Sequence, residues 1–152
     1  FVRTATPDDA LEVRRILDAA MLEPGDVEDR IAAADVFVAG DRRGGSARDS
    51  DTGADRVLGT AVLEPLADER GAHVGAIGVR RRHRGRGLGS ALIETALERE
   101  GRLTADSAAA DRRPELTAEF DPGVRPFYER LGFAIEPIDD QRSRGIVTID
   151  RV

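Results

Sequence analysis

The sequence predicts a single α/β domain. Apolar stretches of strand length alternate with segments whose apolar residues recur every three or four positions, as in amphipathic helices. The chain has 152 residues, of which 40% are hydrophobic, and this is enough for one core. Near its middle an apolar strand changes abruptly into an amphipathic helix through a turn rich in glycine and arginine. We therefore treat residues 1–152 as one domain.

The first half of the chain predicts the order β-α-α-β-β-β. After a strand at Phe1–Thr4, Thr6 to Asp9 read as a helix start, with a hydroxyl cap, a proline at the first position and acids in the first turn. The segment from Asp41 to Asp55 has no apolar periodicity and is predicted to be a flexible hairpin connection. The other predicted elements are a short helix, Asp26–Ala33, and strands at Val36–Ala39, Arg56–Glu64 and Gly71–Val79.

The second half predicts the order α-β-α-β-β. A helix begins at Leu88, and a second helix surrounds Tyr128. Two similar segments, Leu103–Asp106 and Leu116–Glu119, compete for the strand between these helices. We choose Glu115–Phe120 because it runs straight into the Tyr128 helix, so that residues 101–114 become a flexible surface insertion. The last strands are predicted at Phe133–Glu136 and Ile146–Asp150.

The turn between Val79 and Leu88 is suited to bind an anion. The first N–H groups of a helix have no internal partners, and the helix dipole adds partial positive charge there. Glycines at 85, 87 and 89 allow a ligand to approach the backbone closely. Five arginines surround the same turn: Arg80, Arg81, Arg82, Arg84 and Arg86. Because the formal net charge of the chain is -6, this cluster indicates a local anionic ligand and argues against nucleic acid.

The spacing of the glycines distinguishes between the common phosphate-binding motifs. The dinucleotide fingerprint G-x-G-x-x-G fails, because its last position falls on Ser90 or Leu92. The nucleoside-triphosphate loop fails because the chain contains no lysine. What is present is Arg84-x-x-Gly87-x-Gly89, five residues after the predicted strand end at Val79.

A second segment, Pro126–Phe133, has the sequence of a short, capped helix. Pro126 suits a first helical turn, Phe127 and Leu131 form an i,i+4 apolar pair, and Gly132 can supply a left-handed cap before Phe133. Together with the glycine turn, this segment resembles the GCN5-related N-acetyltransferase (GNAT) family. The resemblance implies a central mixed, mostly antiparallel sheet of six to seven strands flanked by about four helices, and an acyltransferase that uses acetyl-CoA as co-substrate without a metal.

The resemblance also implies roles for individual residues. Ile77 would donate its backbone N–H to the acetyl carbonyl, and Val79 would meet the pantetheine arm. Tyr128 would be the general acid that protonates the thiolate of coenzyme A. Asp121 stands where many relatives have an asparagine that bonds the pantetheine arm, and an aspartate can accept but not donate there. The pyrophosphate would be enclosed by Arg84, Gly85, Arg86, Gly87, Leu88, Gly89 and Ser90.

The sequence indicates the general base less clearly than the general acid. Alternation along the strand places His73 on the face of Ile77, but about 13 Å from it, so that His73 would act through water or at the substrate entrance. Some family members use a histidine at this position in that way. Glu64 and Glu119 stay open as alternative bases, and a packed or solvated His73 is the structural alternative.

The amino-acid composition argues against several classes of site and partner. The chain has no cysteine and two histidines ten residues apart, so we expect no metal site. It has no stretch of about 20 apolar residues and no visible leader, so we expect a cytoplasmic protein without a membrane or nucleic-acid partner. The expected acceptor is a primary amine of a small molecule or a peptide. The alternative function is a non-catalytic acyl-CoA sensor, and the oligomeric state is open, with a homodimer as one option.

Overall fold

A computed structural model of the chain describes residues 1–19, 26–42, 55–66, 71–105 and 115–148. Within these ranges the elements follow the predicted order β-α-α-β-β-β-α-β-α-β-β, and the predicted α/β class is confirmed. The strands are β1 (Val2–Thr4), β2 (Val36–Arg42), β3 (Asp55–Pro65), β4 (Gly71–Val79), β5 (Glu115–Phe120), β6 (Ala134–Pro137) and β7 (Ser143–Thr148). The helices are α1 (Ala10–Ala19), α2 (Val27–Ala32), α3 (Leu88–Ala105) and α4 (Arg125–Arg130).

The two segments predicted to be flexible have ends with regular structure. Strand β2 continues to Arg42 and pairs it with Asp55, so both ends of the predicted 41–55 connection belong to a hairpin. Across this hairpin Arg56 forms an ion pair with Asp41 at 2.9 Å. Helix α3 continues to Ala105, so residues 101–105 of the predicted insertion are helical. The remaining parts, residues 43–54 and 106–114, lie outside the described residues.

The strand after α3 is Glu115–Phe120, as predicted. The competing segment is wrong as a strand because Leu103 to Ala105 form the last turn of α3. Strand β7 begins at Ser143, three residues earlier than predicted. Its polar start carries no strand signal, but pairing with Phe120 on one side and Pro137 on the other makes it a strand.

The seven strands of the described chain form one sheet in the order β1-β2-β3-β4-β5-β7-β6. Pairs β1–β2, β2–β3, β5–β7 and β6–β7 are antiparallel. The pair β4–β5 is parallel, and its register joins Gly71–Val74 to Glu115–Ala118. A parallel neighbour requires a crossover connection, which α3 supplies. The mixed, mostly antiparallel sheet expected from the resemblance is confirmed.

The chain divides into two compact units. The first unit comprises Phe1–Val62 and Ala76–Leu92, and the second comprises Leu63–Gly75 and Ile93–Val152. In the first unit, apolar side chains of α1 and α2 pack with those of β2 and β3. This core contains Val13, Ile16, Leu17, Val27, Ile31, Val36, Val38, Val57 and Val62.

The start of α1 differs in detail from the predicted cap. Residues Pro7–Asp9 form a 3₁₀ turn, and the α-helix begins at Ala10. The Asp9 carboxylate accepts hydrogen bonds from the Thr6 backbone N–H at 2.8 Å and from the Arg3 guanidinium at 2.7 and 3.1 Å. Burial acts to raise the pKa of Asp9, but these donors outweigh it and the pKa is lowered. The carboxylate therefore ties β1 to the entry of α1.

Candidate functional site

The turn between β4 and α3 has the geometry that its glycines predict. After Val79 the chain makes a 3₁₀ turn at Arg81–His83, and Gly85 and Gly87 then adopt φ of 80° and 84°. This left-handed region disfavours side chains because Cβ crowds the following carbonyl. An added Cβ at either glycine would meet nothing within 4 Å. The glycines are thus required by backbone conformation, and the space around them is open.

The turn leads directly into the N-terminus of α3, a helix of 18 residues. The Ala91 N–H donates to the Gly87 carbonyl at 3.0 Å, which is the first bond of the helical ladder. The N–H groups of Leu88, Gly89 and Ser90 precede that donor and have no acceptor within the helix. Free donors and the positive end of a helix dipole together suit a phosphate group.

The five arginines of the turn do not all contribute to this anion site. Arg80 turns into the first unit: its backbone N–H donates to the Leu58 carbonyl at 2.7 Å, its Nε donates to the Val57 carbonyl at 3.1 Å, and its guanidinium pairs with Glu12 of α1. We therefore correct its predicted role, because Arg80 joins β3, β4 and α1. The sequence could not reveal this, since Glu12 lies 68 residues away.

The other arginines of the turn are exposed. The Arg84 Nε donates to the Val79 carbonyl at 3.1 Å, which ties the turn to the end of β4. The Arg86 guanidinium lies 3.3 Å from Nδ1 of His83. Arg81 and Arg82 extend from the 3₁₀ turn. Ile77 and Val79, the predicted contacts of the acetyl group and the pantetheine arm, are half-buried on β4.

In the second unit, α4 ends as its sequence predicts. Gly132 has φ of 91°, and the Phe133 N–H donates to the Tyr128 carbonyl at 3.1 Å, as in a Schellman cap. The hydrophobic contact that accompanies this cap is between the Phe133 and Tyr128 rings, which meet edge to face at 5.1 Å. The cap therefore also holds the tyrosine ring.

Tyr128 lies in an aromatic cluster. Its ring stacks on Phe120 of β5 at a centroid distance of 4.1 Å and meets the edge of Phe127 at 5.0 Å. The side chain is 3% exposed. Burial raises the pKa of Tyr128 to about 12, because the phenolate would lose its hydration. The group is thus a phenol at neutral pH, which is the form that a proton donor needs.

Asp121, at the end of β5, is exposed, and its Oδ1 accepts from the Gly123 N–H at 2.9 Å. This bond caps the 3₁₀ turn that leads into α4. One carboxylate oxygen therefore has a structural partner. Its predicted contact with a pantetheine arm stays a prediction.

His73 has a partner that the sequence did not indicate. Its Nδ1 lies 2.8 Å from Oγ1 of Thr117, which is directly opposite in the parallel register of β4 and β5. Thr117 is buried and His73 is half-buried. The sequence placed Thr117 in a predicted strand, but the register of that strand against β4 cannot be read from a local pattern.

The alternative bases also belong to the second unit. The Glu64 carboxylate lies over Gly75, where an added Cβ would come within 2.9 Å of Oε1. Glu119 is exposed on β5, and its carboxylate lies 3.7 Å from the Arg142 guanidinium. Side chains at alternate positions of a strand share a face, so Gly75 lies on the same face of β4 as its near neighbour His73.

Across the described ranges, no helix combines the length and apolar character needed to cross a bilayer. The described histidines, aspartates and glutamates form no group of three or more that could hold a metal ion.

The structure is thus an α/β protein with a left-handed glycine turn between its fourth strand and the helix that follows. The sequence profile of the acetyltransferase (GNAT) domain matches residues 32–135, which is well over half of the chain. The chain therefore belongs to the GNAT family of acetyltransferases, and the resemblance drawn from the two motifs is confirmed. No curated protein matches the chain by sequence.

Solved structures share the fold at low sequence identity. An acetyltransferase of the GNAT family from Listeria monocytogenes is 18% identical with a TM-score of 0.62, covering 97% of this chain and 94% of that one. The yncA protein of Salmonella typhimurium, solved with its cofactor acetyl-CoA, is 14% identical with a TM-score of 0.66, covering 100% and 95%. A chain of the NatC complex bound to Gag peptide and CoA is 16% identical with a TM-score of 0.72, covering 99% and 98%.

Proposed function

We propose that this chain is an acetyl-CoA-dependent N-acetyltransferase that acetylates a primary amine of a small molecule or a peptide. The observation that carries the proposal is the open, left-handed glycine turn between β4 and the N-terminus of α3, in a chain of the GNAT family. The NatC chain, which has the same fold and is bound to a peptide and CoA, supports a peptide as one class of acceptor.

The residues of the turn fit the pyrophosphate of acetyl-CoA. Gly85 and Gly87 present no Cβ, and neither has an atom within 4 Å of the position a Cβ would take. The backbone from Arg84 to Ser90 would supply N–H donors, with Arg86 adding charge. Ile77 and Val79 would face the acetyl group and the pantetheine arm. When bound, acetyl-CoA supplies an acetyl carbon activated as a thioester, and a thiolate as leaving group.

Tyr128 would act on the sulfur. A thiol has an ordinary pKa of about 8.5, so complete proton transfer from a phenol of pKa about 12 is uphill by about 5 kcal/mol. We therefore expect Tyr128 to donate a hydrogen bond as charge builds on the sulfur. The proton is transferred fully when exclusion of water raises the basicity of the thiolate.

His73 would accept the proton that the amine must lose. An alkylammonium has a pKa of about 10.4, so forming the free amine at pH 7 costs about 4.6 kcal/mol. The neutral amine would then attack the acetyl carbon, and the carbon–sulfur bond would break as the new carbon–nitrogen bond forms. The second proton that the amine nitrogen loses in becoming an amide would replace the one that Tyr128 gives to the sulfur. Glu64 and Glu119 are the competing acceptors.

Incubation of the purified full-length chain with acetyl-CoA and a panel of amines and peptides, with thiol release as readout, tests the proposal. Acetylated product identified by mass spectrometry is the expected result. Binding of coenzyme A in calorimetry, without turnover on any acceptor, would instead favour a non-catalytic acyl-CoA sensor. Failure to bind coenzyme A would contradict both functions.

A further inference from the structure

The His73–Thr117 pair determines which nitrogen of the imidazole is available. The two residues are directly opposite in the parallel register, and Nδ1 of His73 lies 2.8 Å from Oγ1 of Thr117. Thr117 is 3% exposed, so water has little access to compete for its hydroxyl. The hydrogen bond therefore occupies Nδ1, and Nε2 is the nitrogen left for a substrate.

We propose that Thr117 is a positioning residue that holds His73 in the tautomer required of a base. The Nδ1–H group donates to Oγ1 of Thr117, and Nε2 carries the lone pair. This proposal rests on the proposed acetyl transfer, because it concerns how His73 receives the proton of the acceptor ammonium. In that step a nitrogen–hydrogen bond of the ammonium breaks, its electron pair stays on the amine nitrogen, and a proton forms a new bond to Nε2. The transfer is direct at the substrate entrance, or it passes through a bridging water that accepts the ammonium proton as it gives one of its own to Nε2.

A base role for His73 requires one direction of this hydrogen bond. A threonine hydroxyl can donate or accept, and a neutral imidazole has one N–H and one lone pair. If the hydroxyl donated to Nδ1, the proton of the neutral ring would be on Nε2, and Nε2 could accept nothing. With Nδ1–H as donor, the ring gains a proton at Nε2 and becomes imidazolium without breaking its bond to Thr117. The pair is then preorganised for proton uptake.

The charged side chains around the pair are mainly acidic. From β3, the Glu64 carboxylate lies over Gly75, two residues after His73 on the same face. On β5, Glu115 and Glu119 stand two residues before and after Thr117, and both are exposed. Arg142, which precedes β7, lies 3.7 Å from Glu119. On β7, Arg144 is paired with Glu119 in the antiparallel register, so basic groups are also present near the pair.

The tautomer can be measured without any activity. The chain has two histidines, so ¹⁵N-labelled histidine gives two sets of ring signals, and a His83→Gln variant leaves that of His73 alone. At a pH where the ring is neutral, we expect the Nδ1–H tautomer. Thr117→Val, which keeps the shape and removes the hydroxyl, should shift His73 toward the Nε2–H form. Thr117→Ser should restore it.

A matched control separates this effect from a general loss of a buried hydroxyl. Thr60 is equally buried, and its Oγ1 donates to the Phe37 carbonyl at 2.8 Å in the first unit. Thr60→Val should lower stability to a similar degree and leave the His73 signals unchanged. An Nε2–H tautomer in the wild-type chain, or an unchanged tautomer in Thr117→Val, would overturn the proposal.

Kinetics then test the role in catalysis. We expect Thr117→Val to lower kcat/KM for the amine about 10-fold, less than the 10²–10⁴-fold that a general base contributes. In Thr117→Val the decrease of kcat/KM toward acidic pH should become shallower. The KM for acetyl-CoA should be unchanged, and Thr117→Ser should recover the wild-type rate. Wild-type kinetics in Thr117→Val would overturn the positioning role. If no amine is acetylated, the proposed function fails, and the NMR result still decides the tautomer.

Discussion

The glycine turn allows a sharp test, because conformation and ligand binding can be separated there. Gly87→Ala places a Cβ on a backbone with φ of 84°, and this Cβ would touch nothing within 4 Å. The change therefore adds backbone strain of about 1–2 kcal/mol and no steric clash. In a chain of this size, each kcal/mol lowers Tm by about 2–4 °C.

Relief of that strain would rotate the peptide groups at the start of α3. The N–H groups of Leu88, Gly89 and Ser90 would then no longer converge on one phosphate. A hydrogen bond to a charged group contributes about 1.5–3 kcal/mol. Loss of one such bond should weaken coenzyme A binding by about 10- to 150-fold. Titration calorimetry with coenzyme A measures this directly and needs no acceptor.

Gly132→Ala is the matched control, because Gly132 has φ of 91° and an equally open Cβ position. It should lose about as much stability as Gly87→Ala and bind coenzyme A like the wild type. If both variants lose stability equally and both retain wild-type affinity, the turn is a folding requirement only. The assignment of the pyrophosphate to the N-terminus of α3 would then be refuted.

Three further outcomes follow from the structure. Tyr128→Phe should keep the aromatic packing and Tm but lower kcat about 10²-fold, at the low end for a general acid, and an unchanged kcat would remove that role. Gly75→Ala displaces the flexible end of the Glu64 side chain. If His73 is the base, kcat/KM should stay within about twofold of the wild-type value. A decrease of about 10²-fold, as expected on loss of a general base, would indicate that Glu64 is the base instead. Because the folded pKa of Asp9 is lowered from 3.8, the stability it supplies is present above that pH and lost as the pH falls below it. The urea concentration at the midpoint of unfolding should therefore decrease less between pH 7 and pH 3 in Asp9→Asn than in the wild type. An equal decrease in both proteins would contradict the stabilising role of the Asp9 carboxylate.

The features that could be predicted are those decided by local conformation. Gly132 was predicted to supply a left-handed cap, and it has φ of 91°. Glycines at 85, 87 and 89 were predicted only to lack a Cβ beside a ligand; the structure adds that Gly85 and Gly87 adopt positive φ and that Gly89 lies in α3. Periodicity and caps located every helix and strand of the described chain in order, because these signals act over a few residues. Boundaries that depend on pairing were less accurate, as β7 shows with its start at the polar Ser143.

The features that could not be predicted are contacts between residues far apart in the chain. Arg80 was counted among five arginines that add positive charge around the turn, and its bond to Glu12 exists because α1 packs in the same unit as the end of β4. The raised pKa of Tyr128 similarly depends on Phe120 and Phe133, which meet its ring from a strand and from a cap. Burial and partner identity are properties of packing, and no local pattern encodes them.

The sequence by itself determined the family, the order of the elements and the position of the glycine turn, because glycine conformation and helix termini depend on local interactions. Only the tertiary structure decided what each polar side chain can do. The register of β4 against β5 is what brings Thr117 to His73, and a shift of one residue would turn Thr117 to the other face of the sheet. The chemistry available to that histidine is therefore a consequence of strand pairing between segments 44 residues apart.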